Sequence, residues 1–101
     1  MRTLTALLQN DKRVFIYLAN DNLKRKFLRQ AEDEGFVLHG NDPTKERAAD
    51  IMIIHRDYTL SHLSGFATMG CYQNCRKEMR VDYARYSNGL ADYYYDLPRQ
   101  G

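Results

Sequence analysis

Arg13-Val14-Phe15-Ile16-Tyr17-Leu18-Ala19 decides the fold of this chain, because it is β-branched, aromatic and apolar on both alternating faces. Val14, Ile16 and Leu18 point one way; Phe15, Tyr17 and Ala19 point the other. Such a strand belongs at the centre of a sheet, with something covering each face. Asn20-Asp21 follows as a helix cap. Leu23, Phe27, Leu28 and Ala31 then make one apolar stripe, predicting a helix over 21–34. Gly35 suits the left-handed residue that ends it, and Phe36-Val37-Leu38-His39 is a second short strand. Strand, helix and strand run together with tight connections, as in a right-handed crossover.

On the N-terminal side, Leu4, Leu7 and Leu8 share a helical face, and Thr3 is placed to cap a helix of about two turns. This helix is expected to cover the sheet face opposite 21–34. The apolar run stops at Gln9-Asn10-Asp11, shorter than a secretory leader, so the chain is expected to be cytoplasmic. On the C-terminal side, Asp42-Pro43 starts a single helical turn over 44–47. Residues 51–63 alternate around the polar Arg56-Asp57-Tyr58 and predict a β-hairpin. Gly65 is expected to be a bulge, and 70–77 a loop holding both cysteines. Residues 79–86 alternate as a strand with one wet face, and Asn88-Gly89 predicts a hairpin turn, after which 90–95 reads either as a returning strand or as an extended tail. The sum is a single α+β domain over 1–101. Its sheet has four to five mostly antiparallel strands, with one main helix on a face and a short N-terminal helix.

Composition narrows function. At 101 residues the chain suits one domain and leaves little room for an enclosed cofactor site. Its net charge of +2 is too weak to argue nucleic-acid binding and does not suit an acidic DNA mimic. No stretch approaches the ~20 apolar residues of a membrane span. Glycine-rich phosphate loops, nucleophile elbows and zinc-protease helices are absent from the sequence. His55-Arg56-Asp57 matches the start of a kinase catalytic loop, but nothing else of that machinery accompanies it, and it reads as a turn. Cys71 and Cys75, with His55 and His62 upstream, have the ligand types for zinc in a loose spacing, and loop or buried thiols explain them as simply. The expectation is therefore no catalytic residue, no cofactor and no metal.

Two surface features suggest a partner. The helix over 21–34 carries Arg25, Lys26 and Arg29 on its outer face, either a solvated face or a basic patch for an acidic protein surface or phosphates, and Arg29 is spaced to pair with Asp33. Tyr86, Tyr93, Tyr94 and Tyr95 crowd the last fifth of the chain. Tyrosine and arginine dominate protein interfaces, although edge-strand packing also accounts for the tyrosines. In a strand, three consecutive tyrosines cannot all enter a core, so at least one faces outward.

The segments VFIYLANDNLKRKFLRQAEDEGF, ADIMIIHRDYTLSHLSGF and MRVDYARYSNGLADYY resemble small uncharacterised α+β proteins of bacterial phages and mobile elements. That setting includes inhibitors of host defence, anti-CRISPR proteins among them. The resemblance implies an inhibitor of a host defence nuclease. With no catalytic motif in the chain, the expectation is a non-enzymatic protein acting by stoichiometric binding, and the basic helix face and tyrosine excess put Arg25, Lys26, Arg29, Tyr86, Tyr93, Tyr94 and Tyr95 at its interface. A homodimer is compatible with this reading. The alternatives are a nucleic-acid-binding accessory protein, with weak binding at most, and a small metal-dependent enzyme using His55, His62, Cys71 and Cys75.

Overall fold

In the computed structural model, residues 2–9, 12–63, 70 and 72–95 are described. Strand β1 (Arg13–Tyr17) lies inside a five-stranded mixed sheet, with Val14, Phe15 and Ile16 all buried. It pairs antiparallel with β3 (Ile51–His55), which forms the predicted hairpin with β4 (Thr59–His62). On its other side β1 runs parallel to β5 (Arg80–Asp82), and β2 (Val37–Leu38) lies parallel to β4 at the edge. The order is β2-β4-β3-β1-β5. The β1–helix–β2 crossover is therefore split, with the hairpin inserted between its two strands. The longest ladder, five residue pairs between β1 and β3, is antiparallel; β3–β4 and the parallel β1–β5 have three pairs each, and the parallel β2–β4 two.

Helix α1 (Leu4–Leu7) is capped by Thr3, and α2 (Asp21–Asp33) by Asn20. Gly35, at φ 91°, closes α2, with Phe36 N–H donating to Ala31 and Gly35 N–H to Glu32, the paired bonds of a Schellman motif. Phe27, Leu28 and Ala31 of α2 pack on Val14, Ile16, Met52, Ile54 and Leu60. Leu4 and Leu8 join this same cluster, so the N-terminal helix shares the α2 face and does not cover the opposite one. There, Phe15 and Ile53 are covered by Tyr72, with Cys75, Met79 and Tyr95 around them. Tyr72, Gln73 and Asn74 are helical and not part of an extended loop. The predicted turn after Asp42 is a 3₁₀ turn at Pro43–Lys45. The expected Gly65 bulge lies outside the described residues.

The predicted strand over 79–86 is replaced by two elements. Only Arg80–Asp82 is strand; Tyr83–Ser87 is helix α3. Asp82 ends the strand because its carboxylate accepts the Ala84 N–H as a helix cap. Tyr83 and Tyr86 then fall on one helical side, and both are buried. Asn88-Gly89 closes α3 and does not form a hairpin turn: Gly89, at φ 79°, donates to Tyr86, and Leu90 donates to Arg85. The chain does return beside β5, where Asp82 N–H donates to Tyr93 and Tyr95 N–H to Arg80. Arg80 is not on a wet face; it is 8% exposed. No helix among the described residues is long and apolar enough to cross a membrane.

Candidate functional site

The tyrosines of the last fifth take different positions. Tyr86 is buried, and its hydroxyl donates to the Thr3 carbonyl. Tyr95 stacks on Tyr17 at 4.3 Å, part of the packing on the second sheet face. Both therefore take part in packing within the fold, Tyr86 buried and Tyr95 partly exposed. Tyr93 and Tyr94 are partly exposed as Tyr95 is, Tyr93 edge-on to Tyr86 at 4.9 Å and Tyr94 tilted on Tyr93 at 4.7 Å.

Arg2, which sequence reading missed, organises this cluster. Its guanidinium carbon lies 5.2 Å from the Tyr86 ring centre and 5.0 Å from that of Tyr93. The same group donates to the carbonyls of Leu90 (2.7 Å), Gly89 (3.2 Å) and Tyr86 (3.3 Å), neutralising the exposed carbonyls at the end of α3. No local pattern signals this role, because its partners lie more than eighty positions away. Arg2, Tyr86, Tyr93 and Tyr94, with Arg76 and Glu78, line an open cleft of about 450 Å³.

Arg25, Lys26 and Arg29 are all exposed on α2. Arg25 bonds Asn22 within its own helix. Among the described residues, Lys26 and Arg29 have no ion pair, and the Arg29–Asp33 pairing that the sequence allows does not form. Lys26 and Arg29 line a shallow cleft with Thr3 and Tyr83, whereas Arg25 faces a groove shared with Glu46, Arg47 and Ala48. The N-terminal segment joins the two patches: Gln30 donates to the Arg2 carbonyl and Tyr86 to that of Thr3. Thus Lys26 and Arg29 adjoin the tyrosine cleft across residues 2–3, and Arg25 lies further round α2, sharing a second groove with Arg29, Thr44 and Glu46.

The His–Cys constellation separates. The β3–β4 register puts His62 opposite Met52 on the α2 face. His55 follows Ile54 and so faces the other side, where its Nε2 pairs with Ser61 at 2.8 Å. Burial holds the His55 imidazole below its usual pKa, with Asp57 opposing that shift. Asp57 accepts from both the hydroxyl and the N–H of Thr59, and the hydroxyl bond above all holds its carboxyl below the usual range. Cys71 lies outside the described residues. Cys75 is a half-buried free thiol, 3.4 Å from a guanidinium nitrogen of Arg80. Arg80 otherwise donates to the carbonyls of Tyr72, Cys75 and Tyr95, each at 3.1 Å. Among the described residues, no three His, Cys, Asp or Glu side chains converge to hold a metal.

No family model matches the chain, nor does any curated protein or solved structure.

Proposed function

We propose that this chain is a non-enzymatic binding protein that inhibits a larger bacterial protein by stoichiometric association. The observation that carries the reading is the solvent-open cleft of Arg2, Tyr86, Tyr93 and Tyr94, beside the exposed cations Lys26 and Arg29. Tyr93 and Tyr94 offer amphipathic ring surface that Tyr86 and Arg2 hold in place, so little conformational entropy is lost when a partner covers it. Lys26 and Arg29, with Arg25 further round α2, supply steering toward an acidic surface. The partner class comes from the resemblance to phage and mobile-element proteins: a host defence nuclease, in the anti-CRISPR manner.

The test is titration of the purified chain against a panel of bacterial defence nucleases. Complete inhibition at equimolar ratio is expected. Tyr93→Ala/Tyr94→Ala raises Kd by about thirtyfold, equivalent to a hot-spot loss of about 2 kcal/mol. Arg25→Glu/Arg29→Glu slows association and flattens its salt dependence, with dissociation little changed. Inhibition at substoichiometric ratios means turnover and defeats the reading. Tight binding to one nucleic-acid sequence at physiological salt replaces it with the nucleic-acid alternative.

A further inference from the structure

The geometry points to a separate two-histidine site for a late first-row divalent metal ion, formed by His39 and His62 near the β2 edge of the sheet. Leu38 and Asn41 exchange both backbone hydrogen bonds, each 3.0 Å, across His39-Gly40. With φ of 54° at His39 and 76° at Gly40, this is a two-residue turn of the I′ type. It fixes the His39 backbone beside the end of β4, where His62 sits. The two imidazole centres are 5.3 Å apart, with their planes inclined by 56°. Two imidazoles sharing a tetrahedral ion at about 2.0–2.1 Å per metal–nitrogen bond bring their centres to about 5 Å. The observed spacing thus needs little adjustment to take an ion.

The tautomer of His62 suits the role. Its Nε2 lies 2.8 Å from the Arg47 carbonyl, which can only accept, so Nε2 carries the hydrogen. In the neutral ring Nδ1 then keeps its lone pair. Metal-binding histidines commonly donate their second nitrogen to a backbone carbonyl in this way, which orients the ring and raises its basicity. His39 is exposed, and no hydrogen bond or ion pair of its ring among the described residues competes with a metal. Imidazole donors suit nickel, copper and zinc, not calcium or magnesium. With two protein ligands, water fills the remaining positions, so the ion is exchangeable, unlike one in a closed structural centre.

Nickel is the probe, because copper would oxidise the thiols of Cys71 and Cys75. Ni²⁺ is titrated into the full-length chain at mildly alkaline pH, with affinity read by calorimetry and location by paramagnetic broadening in NMR spectra. Broadening centred on His39 and His62 is expected. His39→Asn preserves the turn, since asparagine is favoured there, and His62→Gln can still donate to Arg47. Each is expected to weaken nickel binding by at least the roughly tenfold that loss of an outer-shell partner costs a metal site. His55→Gln, on the other sheet face, leaves it unchanged. Broadening centred elsewhere in the wild-type chain, or undiminished affinity in either folded variant, overturns the assignment, whatever the fate of the proposed inhibition.

Discussion

Glu34 does more than end α2. Its carboxylate accepts from Leu4 N–H (2.9 Å), Thr5 N–H (3.0 Å), the Thr5 hydroxyl (2.8 Å) and the Gln30 amide (2.8 Å). It thereby holds the N-terminus of α1, a helix too short to persist alone. Glu34→Ala is expected to cost about 1.5–3 kcal/mol, the scale of hydrogen bonds to a charged group, as a lower urea midpoint at unchanged slope. Tyr72 and Tyr83 govern the alkaline limit. Burial pushes both phenols from 10.0 up to about 12. Below the unfolded pKa both states keep these protons, and the buried phenols contribute in full. Between about 10 and 12 the unfolded chain releases protons that the folded chain retains, so stability falls as pH rises through that window. Phenolate absorbance should therefore rise in stages, with Tyr72 and Tyr83 ionising last and together with loss of structure. Tyr72→Phe or Tyr83→Phe each removes one late-titrating group. Early ionisation of all eight tyrosines contradicts this.

The junction between β5 and α3 shows what can be read from local pattern. β1, α2 and the β3–β4 hairpin were legible because each is long enough for its own period to stand out, and each is bounded by a cap or turn that acts within a few residues. Residues 79–86 alternate just as well, but Asp82 offers a cap and Tyr83 and Tyr86 gain more by docking against α2 and the N-terminal segment. Tyr83, for instance, donates to Gln30 at 2.6 Å. That competition is tertiary and leaves no trace in a period-two count. The same holds for Asn88-Gly89, because a left-handed glycine serves a hairpin and a helix end equally. Of the candidate site, the exposed cations and Tyr93 and Tyr94 were legible from residue type. The burial of Tyr86 and the clamp by Arg2 depend on residues 2–3 meeting residues 86–90, far apart in sequence. At this junction Asp82→Ala is expected to cost about 0.5–2 kcal/mol, the range for a lost helix cap. Gly89→Ala should cost about 1 kcal/mol from conformation alone, since no atom stands within 4 Å of an added methyl. Thermal unfolding of both variants checks this; an unchanged midpoint in Asp82→Ala would mean the cap is dispensable.

At the scale of the whole molecule, β1 is made before either of its neighbours. Its neighbours are Ile53 on one side and Val81 on the other, and its second face waits for Tyr72. Ribosomal synthesis therefore exposes an apolar strand long before either flank exists. A chain halted after residue 63 has the hairpin and α2 but neither β5 nor the cover for Phe15, leaving one edge of β1 unpaired. Such a fragment is expected to elute as soluble aggregates with raised light scattering, whereas the full-length chain is expected to elute free of them. A monomeric, folded fragment would show that β1 tolerates the missing flank. In a growing nascent chain the interval between residues 17 and 82 is the vulnerable period, during which a chaperone that shields extended apolar segments would raise the yield of native protein.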